Sequence, residues 1–475
     1  MRPSCLAIVA SAVLLTGCTV GPNYKRPVVQ VPAAFRAPAP LPEDQAKSLA
    51  DLKWFEVFHD EQLQHLVRTA LAQNYDLRDA VTRVEEARAN LGITRANQFP
   101  QANASGDLDV TRISRNGSLP LPASFVPNQN RNYGQAGLNL LSYEIDLWGR
   151  LRRSTEAARA NLLNTEENRK AVVTTVVSDV ATDYLQLREL DFELEISQRT
   201  LGNRQDFLRL TQDRARGGVA TLLDLRQAEQ LVDTAAASIP TLKQQIEQEE
   251  NAMSLLLGKN PGSIERGRGF LEQELPPEVP PGLPSDLLER RPDIRAAEQA
   301  LIAANANIGV AKAAYFPQIS LSGFIGGQSN QLSNLFASRN GAWTFAPQIT
   351  QPIFAAGRIK NGVRLAEAER NQSQVAYEKA IQTAFREVSD ALIAHQRTRE
   401  SRVEQEKLVT ALADRKRLAY VRYQGGVDTQ LNALDADRDL FQAELSLAQI
   451  RYSELASVVQ VYKALGGGWE QATEK

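Results

Sequence analysis

The sequence predicts an α+β protein made of one structural unit used twice, each copy holding a strand hairpin and long helices. Three observations carry this. Motifs recur in the same order at a nearly fixed offset, proline-free helical tracts run far beyond ordinary length, and each copy has segments that alternate apolar with polar residues. Composition agrees: the 475 residues are 43% hydrophobic but only 6% aromatic, with long tracts of Ala, Leu, Gln, Glu and Arg, as in extended helices packed side by side. Basic and acidic side chains number 54 and 56, a formal charge of −2, which leaves no basic footprint for nucleic acid.

The duplication sets the frame. LGITRANQFPQ (91–101) matches IGVAKAAYFPQ (308–318), with Pro317 standing 217 residues after Pro100 (317 − 100). Further on the offset is 208, since Gly217 matches Gly425 (425 − 217) and Gly258 matches Gly466. The first copy takes residues 61–286 and the second 287–475. Each reads helix, Phe-Pro, strand, loop, strand, Gly-Arg, long helix, Gly-Gly, long helix.

At the N-terminus, residues 1–17 read as a signal peptide. Met1-Arg2 gives a positive start, and the apolar run Leu6–Leu15 is too short to span a bilayer. Leu15-Thr16-Gly17-Cys18 resembles the lipobox of bacterial lipoprotein signals. That resemblance implies that Cys5 leaves with the signal, that Cys18 carries a covalent lipid such as palmitate, and that the mature chain is held at a membrane surface. No cysteine then remains for a disulfide or a nucleophile. Thr19 follows Cys18 where, by the same analogy, Asp would mark inner-membrane retention, so the outer membrane is the expected address. Residues 18–60 form a lipid-anchored strap: prolines at 22, 27, 32, 38, 40 and 42 prevent regular backbone pairing and favour an extended course.

Four strands are expected, two after each Phe-Pro. Ile319, Leu321, Gly323 and Ile325 alternate with small or polar residues, apart from Phe324, and Trp343, Phe345, Ile349 and Ile353 share a parity. In the first copy Tyr133, Leu141, Tyr143, Ile145 and Leu147 are assigned to one face. Between Gly149 and Arg216 there is no proline; Val173, Val177, Val180, Tyr184, Leu187 and Leu194 keep near-heptad spacing, as do Ile381, Phe385, Val388 and Leu392. A tract of some 65 residues is about 100 Å of helix, a strut rather than an element of a compact domain. Each strut ends in a glycine pair, Gly217-Gly218 followed by Val219-Ala220, and Gly425-Gly426 followed by Val427. Glycine ends a helix by turning left-handed, and Asp428 or Thr429 caps the next helix, leaving Val427 exposed at the turn.

No segment beyond the signal is apolar enough for a transmembrane helix, so any crossing must be by strands. Four strands cannot close a barrel, and an open edge is not viable in hydrocarbon. The chain must therefore assemble; two copies give eight strands and three give twelve.

Val20-Gly21-Pro22-Asn23-Tyr24, Trp54-Phe55 to Asp60, Glu289-Arg290-Arg291-Pro292-Asp293-Ile294, both Phe-Pro-Gln motifs and Ala356-Gly357-Arg358 resemble the outer-membrane factor family, the lipoprotein branch of TolC-like efflux channels. The resemblance covers essentially the whole chain. It implies a homotrimer with a twelve-stranded outer-membrane β-barrel, continued by a long periplasmic α-helical barrel. It also implies passive export of small molecules, drugs and toxic compounds, handed on by a periplasmic adaptor and an inner-membrane resistance-nodulation-division pump. By the same resemblance Gly217, Gly218, Val219, Ala220, Gly425, Gly426 and Val427 are tips that meet the adaptor, and Arg422, Tyr423 and Asp435 are a periplasmic gate. A hairpin centred on Asp428 would bring Arg422 and Asp435 to similar depth, where they pair. The first copy has Ala215 for Tyr423 and Gln227 for Asp435, so Arg216 and Asp224 are its weaker gate candidates.

Enzyme activity has little support. His59 and His65 are poorly spaced for one helical face, His395 continues the apolar stripe after Leu392, and no metal motif, Ser-His arrangement, CxxC or phosphate loop occurs. No cofactor is expected beyond the lipid on Cys18. With two methionines, one of them Met1, there is no ladder for soft metals. An outlet for type I protein secretion and a pore-free, lipid-anchored coiled-coil scaffold are the alternatives; the second has no use for amphipathic strands.

Overall fold

A computed structural model describes residues 19–37, 48–112, 114, 130–273 and 279–469. The signal peptide, Cys18, strap residues 38–47, the loop 115–129 and residues 470–475 lie outside the described residues. Nine helices and four strands follow in order among the rest: α1 (Trp54–Val57), α2 (Glu61–Gln73), α3 (Tyr75–Ala96), β1 (Ala102–Arg112), β2 (Asn130–Glu144), α4 (Arg150–Arg216), α5 (Leu222–Leu256), α6 (Leu287–Arg290), α7 (Pro292–Ala313), β3 (Gln318–Ser329), β4 (Gly341–Thr350), α8 (Arg358–Gln424) and α9 (Gln430–Ala464). The duplication is met helix by helix. α3 and α7 have 22 residues each, α4 and α8 have 67, and α5 and α9 have 35. No helix among the described residues is long and apolar enough to cross a membrane.

The chain divides into two compact units that cut across the repeats. The first comprises Met1–Val28, Val84–Asn164 and Ala297–Tyr377. It holds one antiparallel sheet in the order β1-β2-β3-β4, so β1 and β4 are edges. Register places Leu108 opposite Gly134, Leu138 opposite Ile325, Ile325 opposite Trp343, and Ile319 opposite Ile349. Cross-strand partners share a face, so this face is apolar throughout these positions, and its large side chains are open, Trp343 at 77%. Asn103, Asp107, Asp109, Gln135, Asn139, Gln328, Thr344 and Gln348 take the other face. On that face Phe324 lies over the paired glycines Gly137 and Gly326, where an added Cβ on Gly326 would stand 2.6 Å from the Gly137 Cα.

The expected single face for Tyr133, Leu141, Tyr143, Ile145 and Leu147 is corrected. Leu140 pairs with Gly323 but Tyr143 with Leu321, so β2 carries one extra residue there. A bulge shifts parity by one. Before it the even-numbered residues face the apolar side and Tyr133 lies with the polar set, its hydroxyl donating to Gln135 at 3.2 Å; after it Tyr143 is on the apolar side.

Strap residues in this unit run extended and are held at several points. The Val20 amide donates to the Trp148 carbonyl (3.0 Å), Arg153 to Asn23 Oδ1 (2.7 Å), Asn305 to the Pro22 carbonyl (2.9 Å), and Arg26 to both oxygens of Glu298 (2.8 and 2.5 Å). Ala157 and Ala160 of α4 pack on Ala303 and Ala306 of α7, small residues that let two backbones approach.

The second unit comprises Val29–Arg83, Thr165–Ala296 and Glu378–Lys475. Its core takes the heptad residues of α4 (Val173, Val177, Val180, Tyr184 and Leu187) with Val388 and Leu392 of α8 and Val458, Val461 and Tyr462 of α9. Strap residues beyond 48 differ from the extended expectation: Leu49–Asp51 and α1 are helical, because Leu49, Trp54 and Val57 are apolar and enter this core. His395 Nδ1 meets Ser457 Oγ at 3.0 Å, joining α8 to α9, and burial holds its pKa below the usual histidine value.

Asp60 ties the unit together. Its Oδ1 accepts the amides of Gln62 (2.8 Å) and Leu63 (3.3 Å) as the cap of α2, and its Oδ2 accepts Tyr184 Oη (2.9 Å), the Arg268 amide (3.0 Å) and Gln273 Nε2 (2.9 Å). Burial pushes the carboxyl up, but these hydrogen bonds outweigh it and hold Asp60 below the ordinary aspartate value. Asp60→Ala removes a cap and strands several buried donors, so a loss of about 3 kcal/mol is expected in thermal or denaturant unfolding of the detergent-solubilised protein. A depressed carboxyl stabilises above its unfolded pKa and stops doing so as pH falls through the folded one, so the gap between parent and variant closes below about pH 4.

Candidate functional site

The two glycine hairpins, both in the second unit, are the candidate site. The same hydrogen bonds end both struts. Val219 N donates to Arg214 O (2.9 Å) and Gly218 N to Ala215 O (3.0 Å), while Val427 N donates to Arg422 O (3.1 Å) and Gly426 N to Tyr423 O (3.0 Å). This pattern turns on the second glycine of each pair, and Gly218 and Gly426 both have φ of +74°. Val219 is 70% exposed and Val427 67%, with Leu222, Leu223 and Leu431 open beside them. Each tip thus presents a small apolar surface.

The following helices are capped by threonine. Thr221 accepts the Asp224 amide while Asp224 Oδ2 accepts the Thr221 amide at 2.8 Å, and Thr429 accepts the Asn432 amide. Arg216 pairs with Asp213 on its own helix. Both weaker gate candidates, Arg216 and Asp224, are therefore engaged locally.

The expected Arg422–Asp435 pair does not form within the chain. Arg422 Nε meets Asp428 Oδ2 at 2.9 Å, and Asp435 Oδ1 meets Arg438 Nη1 at 3.1 Å. Each is instead taken by a nearer partner, Arg422 by Asp428 six residues on and Asp435 by Arg438 three residues on along α9. Asp428 instead collects Arg422, Asn432 Nδ2 (2.7 Å) and the Thr429 amide (2.8 Å). Those contacts, Arg422 first, pull its pKa down to about 2.

Tyr423 is buried, packed on Phe207 with ring centroids 5.6 Å apart and with the Arg214 guanidinium 4.7 Å from its ring centre. Its hydroxyl donates to Gln430 Oε1 (3.0 Å), and Gln430 Nε2 donates to the Asp224 carbonyl (2.7 Å). Tyr423 and Gln430 thus stitch the α8–α9 hairpin to the α4–α5 hairpin of the same chain. Sequence reading missed a second stitch, in which Arg204 Nε meets Asp437 Oδ2 at 2.7 Å and Lys416 Nζ meets Asp437 Oδ1 at 2.6 Å. One signal was available: the first-copy counterpart of Asp437 is Glu229, but the second-copy counterpart of Arg204 is Leu412, so the pair breaks the repeat.

Comparison with known proteins places these features in a family. The model of the outer membrane efflux protein family matches residues 66–259 and 283–467, and the chain belongs to that family. It is 38% identical to the toluene efflux pump outer membrane protein TtgC of Pseudomonas putida over 100% of this chain and 97% of the relative. It is 37% identical to the cation efflux system protein CusC of Escherichia coli, over 99% and 100% of the two chains. The open-state crystal structure of the Neisseria gonorrhoeae MtrE outer membrane channel superposes with a TM-score of 0.85 at 34% identity, covering 96% of this chain and 100% of that one. The fold is accordingly that of an outer-membrane efflux channel, and the protein is an outer-membrane component of an efflux system.

Proposed function

We propose that the chain is one third of a homotrimer, held to the outer membrane by lipid on Cys18 and acting without catalysis. Three four-stranded sheets join edge to edge into a twelve-stranded barrel, and the long helices continue it as a periplasmic α-helical barrel. The channel takes small molecules from a periplasmic adaptor and an inner-membrane resistance-nodulation-division pump and releases them outside. The supporting observation is the sheet: one face is apolar and open, the other polar, and both edges lack a strand partner among the described residues. Apolar area left in water costs about 25 cal/mol per Å² and an open edge invites pairing, so lipid and a neighbouring copy satisfy both.

The tips Gly217–Ala220 and Gly425–Val427 are assigned to the adaptor, and Arg422, Tyr423 and Asp435 to the gate. That relatives bear the names of toluene and cation pumps supports a pump role without choosing this chain's cargo. Native mass of the protein from outer-membrane extracts is expected to give three chains, and the same preparation to give discrete conductance steps in planar bilayers. A monomer without conductance would overturn the proposal in favour of a scaffold.

A further inference from the structure

We propose that Arg204, Asp437 and Lys416 form a clamp that holds the α8–α9 hairpin against the α4–α5 hairpin and so sets the resting state of the gate; this rests on the gate assignment of Asp435. Asp435 and Asp437 are two residues apart on α9 and point to different sides of the helix. Asp435 remains 34% exposed beside the exposed Arg438, whereas Asp437 is 1% exposed and the Arg204 side chain 4%. The buried contact lies about three turns from the glycine tip.

Four helices meet there. Arg204 comes from α4, Lys416 from α8 and Asp437 from α9, and Arg204 Nη1 donates to the Leu231 carbonyl of α5 at 3.0 Å. The guanidinium also lies over Phe441, 5.0 Å from the ring centre. Two cations share the Asp437 carboxylate, and without its charge they face each other in a largely closed space. A buried pair broken from one side is strongly destabilised, whereas replacing all the charges by apolar side chains of like size is tolerated. The α8–α9 hairpin carries Asp435, so whatever loosens it from α4–α5 releases Asp435 from its resting position.

Asp437→Asn is expected to raise the fraction of time the full-length channel spends open in planar bilayers about tenfold, with unitary conductance as in the parent and a lowered melting temperature that the triple apolar variant below restores. Amide exchange of the first turns of α9 should quicken by a similar factor. Arg204→Lys keeps the charge but cannot reach both Asp437 and the Leu231 carbonyl, so it should open the channel to a smaller extent. It also serves if Asp437→Asn yields no folded protein. The triple change Arg204→Met, Lys416→Met and Asp437→Leu should return both readouts toward the parent. Parental open fraction and exchange in Asp437→Asn, or in Arg204→Lys where that variant stands in, overturn the clamp, as does a lowered melting temperature with no change in opening. If the parent itself never conducts, the channel reading fails, and the exchange rates still decide whether the clamp exists.

Discussion

Cells carrying Asp435→Ala are expected to admit large antibiotics that the parent excludes. Asp435 pairs with Arg438, Arg438 also meets Asp439 (3.3 Å), and Asp439 meets Arg415 of α8 (2.7 Å), so charges alternate along the open side of this hairpin. In the proposed gate three such rows approach one axis. Bare carboxylates there would repel, and cations beside them offset that cost. Removing Asp435 leaves an Arg438 excess at every tip, and the like charges then push the hairpins apart. A change of about 1.4 kcal/mol in the closed-to-open balance multiplies the open population about tenfold. The checks are growth inhibition by a large glycopeptide antibiotic and single-channel recording. Unchanged sensitivity together with unchanged conductance behaviour would remove Asp435 from the gate.

Gly326→Val should have a larger effect, on assembly itself. Gly326 and Gly137 pair across β3 and β2, and Phe324 covers both from the polar face. An added Cβ would be 2.6 Å from the Gly137 Cα and 2.8 Å from the Phe324 Cζ, so the strands must part or the ring must leave. Overpacking of this kind costs about 3 kcal/mol or more once backbone has to move. Gly106→Val on β1 is the control, because nothing stands within 4 Å of the carbon it adds. Outer-membrane extracts should contain trimer from Gly106→Val and little or none from Gly326→Val; equal yields would refute the packing account.

Much of this was legible in the residues. Offsets of 217 and 208 align the 22-, 67- and 35-residue helices with their copies, and period-two patterning pointed to the strands because a sheet with unlike faces writes that pattern directly. Two errors have different causes. The bulge between Leu140 and Tyr143 is a one-residue displacement, which is enough to change a strand's face, whereas Arg422 and Asp435 each found a nearer partner than the one expected. Arg204 and Asp437 escaped for another reason. They stand 233 residues apart in the chain, and only the packing of one hairpin on another makes them neighbours.

The open edges of β1 and β4 have a consequence in time. A freshly made copy carries two unfinished rows of backbone donors and acceptors, each able to template a wrong partner as readily as a right one. If both edges close only against neighbouring copies, as proposed, strand closure and subunit recognition are a single event. The rate at which copies find one another then governs how many channels a cell obtains, and slow supply favours loss to aggregation rather than a stock of half-built pores.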